Sequence, residues 1–166
     1  MSNRPSGSQS VRPPAPRPCT SCPYRRDVPS GVWAPEEYER LRAYDRDTAG
    51  QPHAVFRCHQ SDKTDAAGKL CSGWVGCHHT AELFALRLAL AEGRMDVATY
   101  QAIRAYESPV PLFDSGRAAA DHGQAGVEHP DANARRMISK IRRVRSDLID
   151  GLTAGDPSAE PQASPD

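Results

Sequence analysis

The sequence predicts a mainly α-helical fold with a small, irregular, cysteine-rich and metal-stabilised N-terminal lobe that holds few short strands. Three observations carry that expectation. All five cysteines fall between residues 19 and 77. Apolar residues recur at helical spacing in the segments after Thr80. The cysteine-bearing part has few core formers outside one short helix, chiefly Trp33, Val55, Phe56, Leu70 and Trp74. A chain of 166 residues with 38% hydrophobic content suits one modest domain with tails.

The ends set the domain limits. Residues 1–18 are rich in proline and arginine, and residues 153–166 are mostly Ala, Asp, Glu, Pro and Ser. Neither segment has enough bulky apolar side chains to offset the entropy of ordering it. The expectation is a disordered arm at 1–18, a single domain at 19–152 and a disordered acidic tail at 153–166.

The elements follow in order. "DVPSGVW" is punctuated by Pro29 and Gly31 and reads as turns. Pro35 suits the first position of a helix, Glu36 and Glu37 its first turn, and Tyr38, Leu41 and Tyr44 its inward face. "AVFRC" at 54–58 is a strand candidate, followed by a polar loop. Thr80 is placed to cap a helix with Leu83, Leu86 and Leu90 on one stripe and Gly93 as its stop. A further helix starts at Asp96 with Val97, Tyr100 and Ile103 inward, and Pro109 and Pro111 prevent it from continuing. Ser115 caps a short helix ending at Gly123. The last helix runs from about Asp131 to Leu152, with Met137, Ile138 and Ile141 beginning its apolar stripe.

The formal net charge is zero, which argues against a nucleic-acid coat protein whose affinity comes from neutralising phosphates. The charge is unevenly placed, however. Arg135, Arg136, Lys140, Arg142 and Arg143 make the last helix basic, either as a solvated face or as a contact surface for nucleic acid or a protein partner. No run of about 18 apolar residues predicts a membrane span, and no apolar leader follows Met1. A cytoplasmic location is expected, where structural disulfides are rare and clustered cysteines serve metal or redox chemistry.

Cys19 and Cys22 form a natural chelating pair, and Cys58 and Cys71 complete a four-thiolate site most simply. Cys77 could take the place of Cys71, with His59 and His78 as reserve nitrogen ligands. Four thiolates closing on a metal contribute on the order of 10 kcal/mol of folding free energy in zinc-finger peptides. Zinc and an iron–sulfur cluster both remain open. A structural zinc site usually has two tight Cys-x-x-Cys pairs, whereas wide, irregular spacing and the Cys22-Pro23 step lean towards a cluster held by loops. A metal-free redox dithiol fits less well. Such motifs follow a strand, and "RPPAPRP" before Cys19 cannot be a central one.

The run "CTSCPYR" (19–25), then "FRCH" (56–59), "CSGW" (71–74) and the "LFALRLAL" segment resembles an uncharacterised family of small actinobacterial and phage proteins, a domain of unknown function. The family pattern is Cys-x-x-Cys-Pro-aromatic-Arg, Phe-x-Cys-His, Cys-x-Gly-aromatic and a leucine- and arginine-containing helix, and it covers roughly residues 19–120. The resemblance implies Cys19, Cys22, Cys58 and Cys71 as ligands rather than Cys77, because "CHH" at 77–79 lies outside the pattern. It also gives His59 weight as an alternate ligand or a support for Cys58. It implies no activity. A likeness of "GVWAP" to the turn of WhiB-type iron–sulfur regulators is superficial, since the cysteine order differs.

No catalytic residues emerge. The chain lacks a Ser-His-Asp order, a phosphate-binding glycine loop and a His-Glu-x-x-His helix. Three functions remain: a metal-stabilised binding or regulatory module, an iron–sulfur redox or sensor protein, and a metal-dependent enzyme acting through the site itself.

Overall fold

The structure, a computed structural model, describes residues 10–58 and 69–143. Its helices are α1 (Pro35–Arg42), α2 (Ser72–Cys77), α3 (Phe84–Ala91), α4 (Val97–Arg104), α5 (Gly116–Gln124) and α6 (Ala132–Arg142). The expected strands reduce to two isolated antiparallel bridges among the described residues, Arg25–Leu112 and Arg57–Leu70. "AVFRC" does pair. Cys58 N–H donates to Lys69 O at 3.1 Å and Cys71 N–H to Phe56 O at 2.9 Å. The ladder then stops, because the chain turns into α2 directly after Cys71.

Local chemistry accounts for most helix ends. The side chains of Asp96, Ser115 and Asp131 accept from the backbone N–H of Thr99, Ala118 and Ala134, opening α4, α5 and α6. Gly93 takes a φ of 68°, the left-handed turn that stops a helix. Thr80 does not cap α3. Residues Thr80–Glu82 form a separate 3-10 turn, and α3 starts at Phe84. The Phe84 N–H is met instead by Gln51 Oε1 at 2.9 Å, from a loop distant in sequence. Val97 also departs from expectation and is 59% exposed, because the first turn of α4 faces solvent and only Ile103 of its helical residues is buried.

Helices α1 and α5 form the tightest pair. The buried face of α5 is Gly116, Ala119, Ala120 and Gly123, and it lies on Tyr38 and Leu41 of α1. A Cβ at Gly116 would meet the Leu41 carbonyl, and one at Gly123 would overlap the Tyr38 ring. Small residues are what allow this approach. The junction is fixed by Asp45, whose carboxylate accepts from Gly116 N–H at 3.0 Å and Arg117 N–H at 2.6 Å. Asp45→Ala is expected to destabilise the protein by about 1–2 kcal/mol, as for loss of a helix cap. A thermal melt within about 0.5 kcal/mol of the parent would contradict that role.

One core runs through the molecule. Tyr24, Trp33, Phe56, Cys71 and Trp74 belong to the same buried cluster as Leu41, Leu86, Ile103 and Ile138. The cysteine-bearing part is therefore richer in buried apolar matter than its sequence suggests, with Tyr24 and Val32 fully buried. Residues 10–18 also differ from the free arm the sequence predicts. Val11 is buried and its N–H donates to Arg94 O at 2.8 Å. Ala15 O accepts from Ser72 Oγ at 2.6 Å and Pro16 O from the Tyr106 hydroxyl at 3.2 Å. Proline-rich chain is already extended and keeps its carbonyls free, so docking it costs little entropy. The expected end of the last helix and the acidic tail lie outside the described residues. Among the described residues no helix is long and apolar enough to cross a membrane.

Candidate metal centre

The first cysteine pair lies on two successive turns. Cys22 N–H donates to Cys19 O and Arg25 N–H to Cys22 O, each at 3.1 Å. Side chains then hold the loop from outside. Trp33 Nε1–H donates to Ser21 O at 2.9 Å. The Arg25 guanidinium donates to Pro18 O and Cys19 O, and it pairs with Asp27 at 2.5 Å. Arg26 donates to Leu112 O and pairs with Asp114. Arg25 thus fastens the loop to its own carbonyls and Arg26 fastens it to the 112–114 segment.

The predicted thiols come together as a chain of pairs. Cys22 Sγ stands 3.8 Å from Cys71 Sγ, and the Cys19 side chain interacts with those of Cys22 and Cys58. Cys71 ends the bridged segment, just ahead of α2, and Gly73 lets the first turn of α2 lie on the Cys22 sulfur, since a Cβ there would overlap it. Among the described residues, no three His, Cys, Asp or Glu side chains gather around one point as a ready metal site. The contacts run from Cys58 to Cys19, Cys22 and Cys71 as successive pairs.

The reserve ligands stand elsewhere. Cys77 ends α2 outside this chain of contacts, half-buried, and it is burial that pushes its thiol up to about 12. His78 has both ring nitrogens engaged, Nδ1 at 2.8 Å from Trp74 O and Nε2 at 3.1 Å from Asp45 Oδ1. His59 lies outside the described residues.

Two observations test the fit of a metal. Two thiolates on one tetrahedral ion with Zn–S of about 2.3 Å stand about 3.8 Å apart, the separation found for Cys22 and Cys71. The Tyr24 hydroxyl and the Trp74 indole N–H are buried without a hydrogen-bond partner, and no thiol of the described residues is within bonding reach of either. Tyr24 lies within electrostatic reach of Cys71, Cys77 and Cys22. Buried donors without acceptors are costly. Among the described residues one thiol pair, Cys22 and Cys71, has the spacing of two ligands on one ion. Sequence reasoning missed Tyr24, Trp74 and Gly73, although an aromatic after Cys-Pro and a glycine two residues past Cys71 were the signals available.

Without a cation Cys19, Cys22 and Cys77 resist ionisation. Contact with Cys22 and burial push Cys19 up to about 11. Cys22 is drawn down by Cys19, but contact with Cys71 and burial outweigh this and leave it well above an ordinary thiol. In metal-free protein, Cys19 and Cys77 bind their protons more tightly folded than unfolded. That contribution to stability is whole below pH 9.0 and disappears as pH rises through about 11 to 12. The urea midpoint of metal-free chain is expected to fall between about pH 8 and pH 11, and Cys77→Ala to flatten the fall. A midpoint unchanged over that range would refute the assignment.

The basic residues of α6 are all exposed. Arg135, Arg136, Lys140, Arg142 and Arg143 project away from the buried face made by Ala134, Ile138 and Ile141. Arg135 donates to Pro130 O at 2.6 Å and Arg136 contacts Asn133.

Fold and site together define a small, mainly helical protein in which Cys58, Cys19, Cys22 and Cys71 run as successive side-chain pairs. The chain belongs to a family of unknown function, DUF6283, whose model matches residues 14–145. No curated protein and no solved structure matches it.

Proposed function

We propose that this protein is a metal-binding module in which Cys19, Cys22, Cys58 and Cys71 hold one tetrahedral ion of the zinc class. The observation that carries the reading is the 3.8 Å separation of Cys22 and Cys71, the edge of a four-sulfur tetrahedron about one ion. A cubane cluster, in which each thiolate takes its own iron, holds its sulfurs farther apart. The ion would supply cross-linking: it joins the 19–22 loop, the bridged segment at Cys58 and the start of α2. Four thiolates leave no open coordination position, so the module binds and organises rather than catalyses. Its basic helix α6 is the face offered to a partner, with nucleic acid the one to test.

A second reading, an iron–sulfur redox or sensor centre, is favoured by the wide, irregular cysteine spacing and the Cys22-Pro23 step. Metal and acid-labile sulfide analysis of anaerobically purified full chain, with an absorbance spectrum, separates the two. About one zinc per chain without sulfide supports the first. Labile sulfide with visible absorbance replaces it with the second. Protein that takes up neither sinks both.

A further inference from the structure

A cavity of about 840 Å³ opens between the cysteine loop and α6. Its walls come from Thr20 and Ser21, the two residues between the first cysteines, and from the outer side of α6. The floor is apolar, including Val28, Met137 and Ile141. Arg136 and Lys140 stand at its edge, one helical turn apart. No carboxylate among the described residues pairs with either, whereas Arg25, Arg26, Arg40, Arg42 and Arg94 all have one. Like charges four residues apart on a helix repel, so the arrangement carries a cost that a bound anion removes.

The volume falls in the range of small-molecule sites, about 300–1,000 Å³, and its apolar lining is interleaved with polar groups that include Arg26, His122 and the Asp27 carboxylate, itself paired with Arg25. The exposed Thr20 hydroxyl and the Asn133 amide nitrogen offer polar partners on its walls, the Asn133 oxygen being taken by Arg136. A flat body with polar edges satisfies them, and a phosphate monoester answers the two cations. We propose that this groove binds a phosphate monoester carrying a planar base, a unit the size of a mononucleotide, with the phosphate on Arg136 and Lys140 and the base over Met137 and Ile141. The same unit could come from a free nucleotide or from the 5′-phosphorylated end of a nucleic-acid strand. The inference rests on the basic helix and the cavity, and it stands whichever metal the thiols hold.

The test is a titration of the full-length, metal-analysed protein, followed by backbone amide NMR shifts and by calorimetry. The probes are adenosine 5′-monophosphate, adenosine, and a short single-stranded oligodeoxyadenylate with and without a 5′-phosphate. Adenosine 5′-monophosphate is expected to bind one site and to shift residues 20–29 and 136–141, with adenosine weaker by about tenfold or more. The double variant Arg136→Glu, Lys140→Glu should weaken binding about tenfold or more, while Arg143→Glu, on the same helix but away from the cavity, stays within about threefold. Both sites are exposed, so folding is retained. Competition by the phosphorylated oligonucleotide alone assigns the strand end, and its failure to compete assigns the free nucleotide. The proposal is overturned if the nucleotide shifts no cavity residue, if adenosine binds equally well, or if Arg143→Glu is as harmful as the double variant. It is also overturned if the double variant shifts signals of residues 153–166, which would make the acidic tail the occupant. Metal content measured on the same samples keeps this outcome separate from the fate of the thiolate site.

Discussion

On the proposed thiolate site, Cys22→Ser is expected to abolish metal uptake and to destabilise the chain by several kcal/mol. Cys22 is 1% exposed, and its sulfur sits between Cys71 and Gly73, so a hydroxyl there loses a ligand and cannot reach water. Structural zinc supplies on the order of 10 kcal/mol in small peptides, and whole domains are stable by only about 5–15 kcal/mol. Losing most of that term therefore leaves a marginally stable chain, with a urea midpoint well below that of metal-bound protein. Elemental analysis and far-UV circular dichroism at matched concentration read both effects. Cys77→Ser is the control and should keep its metal, since Cys77 lies outside the chain of thiol contacts. Metal retained by Cys22→Ser, or lost equally from both variants, would overturn the assignment of ligands.

The second large effect arises far from the cysteines in sequence. Gly123→Ala is expected to cost about 3 kcal/mol or more, at the top of the range for overpacking. The added methyl lands on the Tyr38 ring. That ring cannot move freely, because its hydroxyl accepts from Val32 N–H at 3.0 Å and Trp33 N–H at 3.2 Å. Trp33 in turn holds the Ser21 carbonyl inside the cysteine loop. Displacing Tyr38 therefore disturbs the loop as well as the α1–α5 contact. A double-mutant cycle with Tyr38→Leu isolates the mechanism, because the smaller side chain makes room for the methyl. The two costs should fall short of additive by about 1 kcal/mol or more. Additive costs in denaturant unfolding would mean that the clash is relieved some other way.

What could be read from the sequence follows from the range of the forces involved. Helix starts at Asp96, Ser115 and Asp131 and the stop at Gly93 are set within one turn of chain, and they were legible. The burial of Tyr38, Leu41 and Tyr44 was legible for the same reason, since 3.6-residue spacing puts them on one side. Helix α2 was not. Gly73 and Gly76 make "SGWVGC" a poor helix former, and it is held by the pairing of Cys71 with Phe56 and by contact with Cys22. The start of α3 was missed because its partner, Gln51, comes from another loop. Val97 was read as inward because hydrophobicity alone cannot say which side of a short, weakly patterned helix is covered. For the candidate site, the spacing in the chain nominated Cys19, Cys22, Cys58 and Cys71, which the fold places as successive pairs with no three around one point among the described residues. The clamping roles of Arg25 and Arg26, and the orphaned donors of Tyr24 and Trp74, depend on residues brought in from elsewhere and had no local signature.

The bonds that close this molecule join distant parts of the chain. Ser30 Oγ donates to His122 O across 92 residues, Arg42 to Gln124 across 82, and Tyr106 to Pro16 across 90. Helical proteins usually fold fast because their contacts are local, and this one gives up that advantage. Its α1 must wait for α5. On a ribosome adding about 5–20 residues per second, an 82-residue separation is a delay of roughly 4–16 s. Early in that interval, until Cys71 emerges 49 residues after Cys22, the first thiol pair lacks the partner it packs against. Oxidation of the first thiol pair, or capture of the wrong ion, is a hazard of synthesis more than of the finished fold.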